Sequence, residues 1–163
     1  MVELRPISTL SDNAKECIEL EIFPEQRGLI STNANSLEEA DITNSAKGLG
    51  SRAVSYSIHT DDKMVGFIMY GYLLPEYDDE YNEGKPFYFF WRFMVDKNHQ
   101  GKGYGRVALE KIVEEVKTKP CGEAEHFYIS YMPDNPTQKL YHSVGFEPTG
   151  QVVGGEIVAR MKI

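Results

Sequence analysis

The chain has 163 residues, 41% of them hydrophobic, which suits one packed core better than two. Its net charge of −8 argues against nucleic acid, whose phosphates demand a basic face, and favours a cationic partner; an anionic ligand has to be held by local backbone geometry. Cys17 and Cys121 are too few for a disulfide scaffold and lack metal-ligand spacing, no run is apolar enough to span a bilayer, and the opening "MVELRPISTL" lacks a secretory layout. A single domain over residues 1–163 is therefore expected, cytoplasmic, with no metal and no membrane partner.

"VELRPI" reads as an opening strand. "SDNAKECIELE" follows as a first helix capped by Ser11, with Ala14, Cys17, Ile18 and Leu20 at near-helical spacing. "NSLEEADITNSAKG" predicts a second helix, with Ser36 and Glu39 in capping-box spacing and Gly48 as its stop. From Ser51 the pattern turns to "RAVSYSIHT", the turn "DDK" and "MVGFIMYGYLL", an antiparallel hairpin by its β-branched and aromatic content. An acidic loop, "PEYDDEYNEGK", leads to "PFYFFWRFMV", a strand whose apolar density implies burial on both faces. The apolar positions 104, 108, 109, 112, 113 and 116 form one helical stripe up to Lys117. "EHFYISYM" is a strand, "NPTQKLYHSV" a short helix started by Pro136, and "GEIVARMKI" a closing strand. The resulting order, β-α-α-β-β-β-α-β-α-β, is a mixed α/β sheet flanked by helices, in which residues 86 to 131 form a strand, a crossover helix and a parallel strand.

The turn "QGKGYGR" lies between the central strand and the best-defined helix. Glycines at 101, 103 and 105 leave backbone N–H groups uncovered, and the following helix adds its unpaired N–H groups and the positive end of its dipole. Lys102, Arg106 and His99 are placed to add charge-assisted bonds to phosphate oxygens. A P-loop needs Gly-Lys-Ser/Thr, whereas Lys102 is followed by Gly103. Gly103-Tyr-Gly105-Arg-Val-Ala108 satisfies a loose dinucleotide fingerprint, but the chain lacks the second half of that fold.

Gln100-Gly101-Lys102-Gly103-Tyr104-Gly105 resembles the Gln/Arg-x-x-Gly-x-Gly/Ala signature of the GCN5-related N-acetyltransferase (GNAT) superfamily, and "KLYHSVGFEPTG" resembles that family's late segment. The likeness extends over nearly the whole chain. "PEQRGLISTNANSLEEA" and "GFIMYGYLLPEYDDE" are similar to stretches of bacterial spermine/spermidine N-acetyltransferases. The resemblance implies acetyl-coenzyme A as cofactor, its pyrophosphate on Gln100 to Arg106, and its pantetheine arm along the backbone of Phe93, Met94 and Val95, where the central strand parts from its neighbour. It also implies Tyr141 as the general acid toward the thiolate. The family places Asn seven residues before that tyrosine; here Asp134 has that spacing and Asn135 is one residue closer, and Asn135 is preferred as the cofactor contact. Dimers are common in the family, so a homodimer is the assembly the resemblance allows.

An alkylamine is almost wholly protonated at neutral pH, so acetyl transfer needs a proton acceptor. Polyamine enzymes commonly carry an acid two positions before the residue matching Phe93, and this chain has Trp91 there. Glu76, Glu21 and a water chain remain as candidates, with His126 and His142 assigned to packing or the surface. Glu76, Asp78, Asp79 and Glu80 could grip the distal ammonium groups of a polycation, with Tyr77, Tyr81 and Trp91 adding cation–π contacts; the bland reading is a solvated acidic loop. The expected activity is acetylation of a polyamine such as spermine or spermidine. The rivals are an aminoglycoside or a protein amino group as acceptor, and a non-catalytic coenzyme A-binding regulatory domain.

Overall fold

The computed structural model describes residues 1–78, 80–82 and 84–163. Seven strands form one sheet: β1 (Val2–Pro6), β2 (Arg52–Thr60), β3 (Lys63–Leu73), β4 (Phe87–Val95), β5 (His126–Tyr131), β6 (Glu147–Val153) and β7 (Glu156–Lys162), in the order β1-β2-β3-β4-β5-β7-β6. Every pairing is antiparallel except β4 with β5. The helices are α1 (Ala14–Glu19), α2 (Asn33–Asn44), α3 (Tyr104–Lys117) and α4 (Gln138–Ser143), with short 3-10 turns at Pro24–Gln26 and Ala46–Gly48. Among the described residues no helix is long and apolar enough to cross a membrane.

β3 is buried from Met64 to Leu73 because both faces of the sheet are covered. Ile68, Tyr70 and Tyr72 join Ala108, Leu109, Ile112, Val113 and Val116 of α3, the stripe the periodicity predicts. Phe67 and Met69 point the other way, onto Cys17 of α1 and Leu37 and Ala40 of α2. A third cluster, of Leu73, Phe87, Phe89, Tyr128 and Val158, receives Tyr77, Tyr81 and Trp91. The far end of α3 is tied to the sheet at Glu115, whose carboxylate accepts from Tyr70 Oη (2.6 Å) and Tyr56 Oη (2.9 Å).

Several local expectations are corrected. Ser11 does not cap α1; its Oγ accepts from the Ser8 N–H, and Asn13 precedes the helix. The Ser36/Glu39 capping box does not form, because α2 begins earlier: Thr32 caps it by accepting from the Asn35 N–H, Ser36 Oγ donates to the Thr32 carbonyl inside the helix, and Glu39 pairs with Arg92. Gly48 ends the 3-10 turn, not α2. Pro136 lies outside α4, whose N-cap is Thr137. The structure also adds a strand, β6, joined to β7 through Gly154-Gly155 with φ of +56° and +86°, the two-residue turn that suits a tight hairpin. β6 is exposed along almost its whole length, so it carries little hydrophobic signal.

Candidate active site

β4 and β5 are paired only at Tyr88 with Phe127 and Phe89 with Tyr128. Beyond Phe89 they part, and two clefts, of about 350 and 420 Å³, open where the ladder is missing. On its other side β4 carries a bulge: Tyr70 faces Phe90 and Met69 faces Arg92, so Trp91 has no partner in β3. An extra residue of this kind re-aims the side chains around it.

The first cleft gathers Phe93, Met94, Val95, Gln100, Gly101, Gly103, Tyr104, Gly105, Arg106, Asn135 and Tyr141, with Ile22, Gln26, Leu29 and Ile30 as its opposite wall. Gly101 and Gly103 have φ of +76° and +82°, and nothing stands within 4 Å of where a Cβ would be, so both open onto free space. Gly105 serves differently: a Cβ there would lie 2.8 Å from Phe93 Cζ, and its absence lets the first turn of α3 sit against β4. Gly103 is the N-cap of α3 with no side-chain cap, so the helix's first N–H groups stay open.

Side chains brace this turn. Gln100 Nε2 donates to the Val95 carbonyl (2.9 Å) and to Gln26 Oε1 (2.8 Å), which links the turn to the facing wall. Arg106 donates to Ser143 Oγ (2.9 Å) and pairs with Glu110 (3.2 Å). Lys102 is exposed and stands outside the lining. Asp96, which follows β4, accepts from the Glu21 and Asn98 N–H groups (3.0 Å each) and lies 3.2 Å from His99 Nδ1. Burial alone would raise the Asp96 carboxyl, but these bonds outweigh it and hold the group below its ordinary value.

Tyr141 and Asn135 line both clefts and mark their junction. Asn135 is buried, and its Oδ1 accepts from the Thr137 N–H (2.8 Å), fixing the turn before α4; Asp134 is exposed and lines neither cleft. Tyr141 packs on Phe90 (6.1 Å between ring centroids) and Tyr131 (5.7 Å). Burial pushes its phenol well above the ordinary value, with Thr137 acting in the opposite direction.

The second cleft is lined by Trp91, Arg92, Phe89, Tyr81, Ser130, Tyr131 and Glu156, with Gly28 to Ser31 across from them. Arg92 is paired with Glu39 (2.6 Å) and lies 5.8 Å from the Trp91 ring. Glu156, just after the Gly154-Gly155 turn, accepts from Ser130 Oγ (2.6 Å) and has no ion-pair partner among the described residues. Of the described residues of the acidic loop only Tyr81 reaches this lining. Glu76 and Glu80 are exposed, Asp78 accepts from the Glu80 N–H, Tyr77 Oη lies 3.2 Å from Thr43 Oγ1, and Asp79 lies outside the described residues. Glu21 is paired with Lys97 and borders a third cavity, of about 280 Å³, instead of either cleft. Glu156 carries no signature of its own in the sequence; the Gly154-Gly155 pair marks a hairpin turn, and only the pairing of β5 with β7 brings the glutamate to this lining.

Residues 34–146 match the model of the acetyltransferase (GNAT) family, more than half of the chain. The chain belongs to that family, and with it to the acetyl-coenzyme A-dependent N-acetyltransferases. Within the family it is 28% identical over 144 residues, 86% of either chain, to the probable spermine N(1)-acetyltransferase of Bacillus subtilis subsp. natto (strain BEST195). It shows the same identity and coverage to the spermine/spermidine N(1)-acetyltransferase of Bacillus subtilis (strain 168). Among solved structures, its fold is shared with the PaiA N-acetyltransferase of Thermoplasma acidophilum in complex with coenzyme A (TM-score 0.69, 14% identity, 100% of this chain and 99% of that one). It is shared too with AAC(6')-Ib in complex with paromomycin and acetyl-coenzyme A (TM-score 0.72, 15% identity, 99% and 93%).

Proposed function

We propose that the protein transfers the acetyl group of acetyl-coenzyme A directly to a primary amine of a polyamine such as spermine or spermidine, with the cofactor in the first cleft and the amine in the second. The observation that carries the substrate class is Glu156, an unpaired carboxylate in the second cleft, in a lining that also includes Tyr81 and Trp91. Arg92, the cation of that lining, is already neutralised by Glu39. An ammonium group entering there meets a carboxylate and two aromatic faces, the combination that attracts organic cations. The names of the Bacillus relatives agree with this choice.

The first cleft fits the cofactor. Open glycine backbone at the start of a 14-residue helix suits a pyrophosphate, with Arg106 in the same lining. The unpaired stretch of β4 from Phe93 to Val95 suits the pantetheine arm, and Asn135 and Tyr141 suit its reacting end. When bound, the cofactor supplies an activated acetyl thioester. Tyr141 keeps its proton on Oη at neutral pH, because burial holds its phenol high, and can donate it as a hydrogen bond where negative charge develops.

Glu156→Gln tests the substrate class. The KM for spermidine should rise about tenfold, a loss of about 1.4 kcal/mol in binding, with the acetyl-coenzyme A affinity unchanged. An unchanged KM would remove Glu156 from amine recognition. A panel of polyamines, aminoglycosides and peptides completes the test, and a preference for peptides would overturn the polyamine assignment. The aminoglycoside reading is favoured by the hydroxyl and amide groups of Ser31, Ser130, Tyr131 and Asn135 in the same cleft, which suit a hydroxylated amine.

A further inference from the structure

We infer that Tyr131 and His142 form the exit path for the proton of the acceptor amine, from the second cleft to solvent. The inference rests on an amine being acetylated in that cleft. Only about one alkylamine in 2,500 is neutral at pH 7, so most bound acceptors must shed a proton before they attack. Trp91 supplies no acid at its place in the cleft, and Glu76 and Glu21 line neither cleft. Tyr131 does line the second cleft, on the last residue of β5 and against the Tyr141 ring. Its Oη is 2.7 Å from Nε2 of His142, which is exposed on α4.

A buried phenol needs a hydrogen-bond partner, and a backbone carbonyl would meet that need as well. The partner here is instead an imidazole, which can take up a proton on one ring nitrogen and give one up from the other, and it opens to water. With the His142 proton on Nδ1, Nε2 accepts. The ammonium N–H bond breaks as the proton passes to Tyr131 Oη; in the same movement the Tyr131 O–H proton passes to His142 Nε2, and the imidazolium releases a proton to solvent. The phenol ends as it began, which burial favours by holding its ionisation high. The groups around His142 are Tyr131 from β5, Lys139 one turn back on α4, and the Arg106 guanidinium of α3 on the neighbouring Ser143, itself paired with Glu110.

The experiment is the pH profile of kcat/KM for spermidine in the wild type, His142→Gln, His142→Ala, Tyr131→Phe and Glu156→Gln. The first three variants should lose about 100-fold near pH 7 and lack the wild type's ascending limb, then converge on the wild type as the pH nears the amine's own pKa of about 10.4. Added imidazole should restore His142→Ala, which a merely structural role would not permit. Independently of turnover, imidazole nitrogen NMR should find His142 protonated on Nδ1, a preference that Tyr131→Phe removes. A wild-type limb in the His142 variants, or a limb lost in Glu156→Gln alone, would overturn the inference and leave the polyamine reading standing. A wild type that acetylates no amine would overturn that reading itself.

Discussion

Tyr141 is where the two clefts touch, and its phenol is kept protonated by burial. Tyr141→Phe keeps the ring on Phe90 and Tyr131 and removes only the hydroxyl. Turnover should fall about 100-fold while the acetyl-coenzyme A dissociation constant stays within about threefold, checked by steady-state kinetics and calorimetric titration. Asp96 acts on stability. Its folded-state carboxyl is depressed below the ordinary 3.8, so its contribution is complete above the unfolded value and is lost as the pH falls through the folded one. The stability gap between the wild type and Asp96→Asn should be largest near neutrality and close below about pH 4, read from denaturant unfolding at a series of pH values. A gap that widens in acid would contradict the bonding seen around Asp96. Burial pushes the Cys17 thiol up to about 12.

Among the elements, the junction of β4 with α3 carries the most consequence. Gly103→Ala places a Cβ in open space but forces an L-residue into a left-handed conformation, which destabilises by about 1–2 kcal/mol. Gly105→Ala has no such backbone penalty and instead drives a Cβ against the Phe93 ring. Both should weaken acetyl-coenzyme A binding, but in differential scanning calorimetry only Gly103→Ala should lose stability through its backbone, whereas Gly105→Ala should be partly rescued by Phe93→Leu. How much was legible depends on the signal each element carries. The stripe on α3 was read in full because one face is buried and the other is wet. β6 went unread because nearly every residue on it is exposed, so burial imposes no period on its sequence. The start of α2 is ambiguous in the sequence because Thr32 and Ser36 both offer a hydroxyl ahead of a helical run; in the structure Thr32 takes the cap and Ser36 Oγ bonds back to the Thr32 carbonyl inside the helix.

At the scale of the whole molecule, the chain carries a net charge of −8 and its second cleft is proposed for a polycation. Long-range attraction of this kind is screened: the Debye length shrinks from about 30 Å at 0.01 M to about 3 Å at 1 M. The KM for spermine should therefore rise with salt, and more steeply than that of a monoamine, measured side by side at fixed acetyl-coenzyme A. Equal slopes would assign the recognition to short-range contacts alone.

The amino-acid sequence by itself determined the α/β class, the parallel crossover and the glycine turn before α3, because these depend on backbone freedom and on periodicity along the chain; the tyrosine before Gly145-Phe146 stood out only through the resemblance to the GNAT family. Only the tertiary structure decided which acid stands in the second cleft. The acidic loop is rich in carboxylates, yet among those described none lines that cleft, while a single glutamate after a hairpin turn does. That outcome follows from β5 pairing with β7, which sets Tyr131 opposite Ile157 and so delivers Glu156 beside Ser130 at the mouth of the parted strands. Strand register is a relation between distant segments, and no local count of charges contains it.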